Sequence, residues 1–134
     1  MEPIYYVEND ENDVFLLRRA FRKIGLPEAV RHFFTGDTFK EALEGQHVPS
    51  LFLLDLKLDA ESGLDLLRWI KEQDRFSDIP VIIFSSGTVP AEMMETMTLN
   101  ATAYMFKPTS ADTWRDVAEQ LAVAAGLKPP LPAP

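Results

Sequence analysis

At 134 residues the chain is the size of one ordinary domain, and 46% hydrophobic residues is a globular composition, not a disordered one. A net charge of −8 argues against a nucleic-acid binder, which would need a basic face. With no cysteine, disulfides, thiolate metal sites and thiol catalysis are excluded, as a reducing cytoplasm would permit. No apolar run approaches the roughly 18 residues of a membrane span. Glu2-Pro3 stands where a secretory leader would carry its basic start. The expectation is a cytoplasmic domain over residues 1–126, with a proline-rich extended tail over 127–134.

In chain order, Pro3-Ile4-Tyr5-Tyr6-Val7 reads as a strand. A helix follows from about Asn12 to Ile24, with Val14, Leu17, Phe21 and Ile24 at helical spacing and Gly25 as its stop. Ala29 to Phe34 reads as a second strand, and Thr38 to Glu44 as a short helix. Ser50-Leu51-Phe52-Leu53-Leu54 is a continuous apolar run ending at Asp55, the pattern of a central strand buried on both faces. Ser62-Gly63-Leu64-Asp65 is a capping box, opening a helix that buries Leu64, Leu67 and Ile70. Val81 to Phe84 is the fourth strand. Pro90 suits the first turn of a fourth helix ending near Leu99-Asn100, where Asn tolerates a left-handed cap. Met93, Met94 and Met97 on that helix read as core residues. Ala103 to Phe106 is the fifth strand, and Thr109-Ser110-Ala111-Asp112 opens a fifth helix burying Trp114, Val117 and Leu121. Five strand–helix alternations predict an α/β fold, a parallel sheet covered on both faces.

In such sheets ligands bind outside the carboxyl ends of the strands. Those ends carry Glu8-Asn9-Asp10, Asp55, Ser85 and Lys107. Acids, a hydroxyl and a lysine converging on one edge suggest a site for a divalent cation and a phosphoryl group. His32 and His47 have no visible acid–base partner and read as structural. Asp13 reads as a capping or solvated residue.

These residues, in this order, resemble the receiver domain of two-component response regulators. The matching pieces are the acidic cluster after the first strand, Asp55 with Gly63 in the next loop, Ser85, and the Lys107-Pro108 pair. They extend from about Ile4 to Leu121. Val7 to Val14, with Leu17-Arg18-Arg19-Ala20-Phe21, further resembles the single-domain regulators paired with bacterial and cyanobacterial phytochromes. The resemblance implies a flavodoxin-like, three-layer fold with strand order 2-1-3-4-5 and five helices. It also implies a phosphoacceptor at Asp55 and a Mg2+ site built by Glu8, Asn9, Asp55 and the backbone carbonyl of Lys57. Lys107, joined to Pro108 by a cis peptide, would pair with Asp55 and then with a phosphoryl oxygen. Ser85 or Ser86 would supply a hydroxyl, the register of Val81 to Phe84 favouring Ser85, and Tyr104 would be an aromatic switch.

The chain departs from the family at Asn9, where a carboxylate is usual, so weakened Mg2+ binding is expected. Strand alternation leaves Asp10 as an alternative ligand. The partners implied are a sensor histidine kinase, a downstream protein and a homodimer, met through the fourth helix, fifth strand and fifth helix. No nucleic acid, no membrane and no turnover of free substrates are expected. The competing reading is a degenerate receiver, a phosphorylation-independent interaction module favoured by Asn9. An aspartyl-phosphate hydrolase is disfavoured because Lys57 occupies the position, two residues past Asp55, where such phosphatases carry a second acid.

Overall fold

The structure, a computed structural model, describes residues 2–58, 62–87 and 90–129. Its elements alternate without exception: β1 (Ile4–Val7), α1 (Glu11–Lys23), β2 (Val30–Phe33), α2 (Gly36–Ala42), β3 (Leu51–Asp55), α3 (Gly63–Lys71), β4 (Val81–Ser85), α4 (Pro90–Thr98), β5 (Ala103–Phe106) and α5 (Ala111–Ala124). A 3-10 turn, Asp74–Phe76, lies between α3 and β4. The strands form one parallel sheet in the order β2-β1-β3-β4-β5, as the alternation and the resemblance predict. The loop residues Asp59 to Glu61 and tail residues 130–134 lie outside the described residues.

Strand position explains strand composition. β1, β3 and β4 are buried at every residue, because helices cover both faces of a parallel sheet. The edge strands β2 and β5 are only partly covered and mix apolar with exposed residues. Alternate strand residues feed two cores. Ile4, Tyr6, Leu53 and Phe84 meet Leu17 and Phe21 of α1 and Trp114, Val117 and Leu121 of α5. Tyr5, Val7, Phe52 and Ile83 meet Phe39 and Leu43 beside α2, and Leu64, Leu67 and Ile70 of α3. Burying one such side chain contributes about 1.5–3 kcal/mol.

Local signals fix the helix ends. Ser62 and Asp65 form the reciprocal capping box, and Gly25 and Asn100 adopt positive φ of 82° and 62° past α1 and α4. Two expectations need correction. Met94 and Met97 are not core: they are 72% and 55% exposed. The inward residues of this stretch are instead Thr96, fully buried, and Leu99 just past α4, which packs against the core. Thr96 can be buried because its hydroxyl donates to the Glu92 carbonyl at 2.8 Å. The Lys107–Pro108 peptide is trans, not cis. Trans is the lower-energy isomer of an X–Pro bond, and the Lys107 amide extends the ladder by donating to the Ser85 carbonyl at 2.7 Å.

Candidate functional site

The parallel register delivers the ends of β1, β3, β4 and β5 to one edge. Val7 is aligned with Leu54, Asp55 with Phe84, and Ser85 with Phe106. Glu8, Asp55, Ser85 and Lys107 therefore leave the sheet side by side. Glu8, Asp55 and Ser85 are buried, with Glu8 fully inaccessible. Lys107 Nζ lies 2.7 Å from Glu8 Oε1, 2.8 Å from Asp13 Oδ2 and 3.5 Å from Asp55 Oδ1.

Glu8 is the most perturbed acid. Burial, and then the adjoining Asp55 carboxylate, raise it from 4.5 to about 7, while Lys107 pulls it back down. Its Oε1 accepts the Tyr6 hydroxyl at 2.7 Å. Burial and the neighbouring Glu8 hold the Tyr6 phenol well above its ordinary range. Burial alone would lower the Lys107 ammonium, but Asp13 and Glu8 outweigh it, and the net shift is upward. The lysine is held charged. His32 packs behind this group, with Nε2 2.7 Å from the Glu8 carbonyl, and burial lowers its pKa.

The loop after β3 approaches closely. Gly63 donates its amide to the Leu56 carbonyl at 3.0 Å, and a Cβ on Gly63 would stand 2.1 Å from the Asp55 carbonyl oxygen. Only glycine fits there. The Lys57 side chain is exposed, and its backbone bridges to Ser62. At the end of β4, the Ser85 hydroxyl donates to the Gly87 carbonyl at 3.0 Å, and the Tyr104 hydroxyl donates to the same oxygen at 3.0 Å. Ser86 is exposed.

The residues after β1 part company. Glu8 still belongs to the sheet, its amide donating to the Phe33 carbonyl at 3.0 Å. Asp10 is the N-cap of α1, accepting the Asn12 amide at 2.9 Å and the Asp13 amide at 3.4 Å. The carboxylate considered above as an alternative ligand is thus exposed and engaged with the helix. Asp13, read from sequence as capping or solvated, instead contacts Lys107. The signal was its spacing: it lies four residues before the buried Leu17, on the row of α1 that faces the sheet.

The profile of the response regulator receiver domain family matches residues 4–119. The chain belongs to this family. The receiver domain is a module of two-component signalling. Among curated relatives it is similar to the probable methanogenesis regulatory protein FilR2 of Methanothrix harundinacea, at 25% identity over 88% of this chain and 79% of that one. It is also similar to the transcriptional regulatory protein GltR of Pseudomonas aeruginosa, at 31% identity over 80% of this chain but only 43% of GltR. Of solved structures, the phosphorylated cyanobacterial phytochrome response regulator RcpA superposes with a TM-score of 0.84, at 22% identity over 98% and 99% of the two chains. The Mn2+-bound response regulator Rcp1 gives 0.82, at 20% identity over 99% and 100%. At those identities the likeness is one of fold.

Receiver domains generally bind Mg2+ or Mn2+, and the donors in this receiver domain suit a hard cation. Glu8 and Asp55 are adjoining carboxylates; burial first, and then the neighbouring Asp55, make the charged form of Glu8 costly, and a divalent ion would favour that form. Among the described residues no three acidic or histidine side chains stand in metal-holding geometry.

Proposed function

We propose that this receiver domain is switched by phosphorylation of Asp55, taking the phosphoryl group from a histidine kinase and signalling through surface contacts. The observation that carries the reading is the Lys107 ammonium, held charged 3.5 Å from the buried Asp55 carboxylate. In the transfer, an Asp55 carboxylate oxygen attacks phosphorus and the P–N bond of the kinase phosphohistidine breaks. The imidazole leaves with that electron pair and takes a proton from solvent. Lys107 supplies positive charge to one phosphoryl oxygen and the Ser85 hydroxyl donates to another. Glu8 and Asp55, with Asn9 and the Lys57 carbonyl, would hold Mg2+, whose role is to neutralise charge on the phosphoryl group. Water later attacks phosphorus, releasing inorganic phosphate and restoring the carboxylate.

The switch follows from the shared acceptor at Gly87. When Ser85 turns to the phosphoryl group, the Gly87 carbonyl loses one of its two hydroxyl donors, and Gly87 and Tyr104 resettle together. The readout surface is α4 with β5, where Met94, Met97 and Phe106 are exposed at 72%, 55% and 50%. A downstream protein or a second copy would dock there, with no role for nucleic acid.

The test is treatment with phosphoramidate and Mg2+, read by intact mass and by peptide mapping of the modified residue. One phosphoryl group should appear on wild type and none on Asp55→Asn. No labelling of wild type would favour the second reading, a phosphorylation-independent module, which the neutral Asn9 beside the site supports.

A further inference from the structure

Asp13 has no part in the reaction just described, yet it makes one of the short contacts at the site. Its Oδ2 is 2.8 Å from Lys107 Nζ, whereas Asp55 Oδ1 is 3.5 Å away. The ammonium is held closer to α1 than to the residue that would carry the phosphoryl group. The pair is largely shielded from water, the Lys107 and Asp13 side chains being 10% and 18% exposed. Asp13 is also fixed from behind, because its amide joins the Asp10 cap at the start of α1.

An ammonium has three protons and a preference for three acceptors. In the resting site Glu8, Asp13 and Asp55 surround those protons. A phosphoryl oxygen on Asp55 needs one of them. Glu8 is buried and shares its other contacts with Tyr6 and Asp55. Asp13 is the carboxylate of the three that lies on a helix outside the sheet.

We propose that Asp13 is a positioning residue for Lys107: it draws the ammonium off Asp55 in the resting protein and competes with the phosphoryl oxygens for it afterwards. The inference rests on Asp55 as phosphoacceptor. Asp13 thereby shortens the life of the phosphorylated state, setting how soon the signal resets. Asp13→Asn keeps the size and an acceptor oxygen but removes the charge, so Lys107 shifts toward Asp55. Asp13→Glu keeps the charge.

Two measurements on the full chain test this. The first is the 15N ammonium spectrum of Lys107 in the resting protein, in wild type, Asp13→Asn and Asp13→Glu. The second is the decay of the aspartyl phosphate after loading with phosphoramidate and Mg2+. The ammonium signal should move or broaden in Asp13→Asn, and the lifetime should lengthen about three- to tenfold, the weight of one partly shielded ion pair. Asp13→Glu should return both toward wild type. An ammonium signal unchanged in Asp13→Asn, or a lifetime equal to or shorter than wild type in a natively folded variant, overturns the proposal. Failure of wild type to take any phosphoryl group is a different result. It removes the phosphoacceptor reading, and the resting ammonium spectrum still decides whether Asp13 positions Lys107.

Discussion

Replacing Glu8 by glutamine should flatten the pH dependence of stability in the absence of divalent ions. Glu8 is fully buried and titrates near 7 when folded, against an ordinary 4.5. Because the folded pKa is raised, the stability it contributes is fully present below about pH 4.5 and is lost as pH rises through 7. The gap of about 2.5 units, at 1.36 kcal/mol each, gives a loss of about 3 kcal/mol between pH 4.5 and pH 8. Glu8→Gln has no charge to bury and should lack that slope, although it gives up the ion pair that ionised Glu8 makes with Lys107 above about pH 7. The quantity to compare is therefore the change from pH 5 to pH 8 within each protein, measured by urea unfolding in EDTA. His32 titrates in both and largely cancels. Wild type should lose about 2–3 kcal/mol more than Glu8→Gln over that interval. Parallel curves would refute the reasoning, showing that Glu8 stays ionised throughout. Added Mg2+ should then restore wild type at pH 8 far more than the variant.

Three further outcomes are expected. Gly63→Ala gains up to about 1 kcal/mol of helix propensity, but its Cβ would meet the Asp55 carbonyl at 2.1 Å. The backbone must move, so a net loss of at least about 1–3 kcal/mol should appear in the urea midpoint, together with slower labelling of Asp55. Asn9→Asp should tighten Mg2+ binding by roughly 1–3 kcal/mol, about tenfold to a hundredfold, because a unit charge is added near the ion. Calorimetry giving equal affinities would put Asn9 outside the metal site. Met94→Gln with Met97→Gln should change stability by less than about 0.5 kcal/mol, since both side chains face water. Affinity for an output partner should nonetheless fall, and unchanged binding would move that partner off α4.

The sequence by itself determined the layered fold, because each element carries its own short-range signal. The unbroken apolar run of β3, the capping box at Ser62 and Asp65, and the stop at Gly25 read locally and are realised locally. It also brought Glu8, Asp55, Ser85 and Lys107 to one edge, since each follows directly on a strand and parallel strands share a carboxyl end. The α4 surface was not legible that way. A threonine that satisfies its hydroxyl on its own helix can replace an apolar residue inside, and hydrophobicity alone then assigns the methionines to the wrong face. Asp13 escaped for a related reason. Its spacing from Leu17 puts it on the sheet-facing row of α1, but whether a first-turn residue on that row caps, is solvated or meets a site group is decided by how α1 packs across the strand ends. The strength of the acid cluster was likewise a tertiary matter. A carboxylate's charge is written in the sequence, but the cost of holding Glu8 charged depends on the water excluded around it and on Asp55 and Lys107, residues far away along the chain.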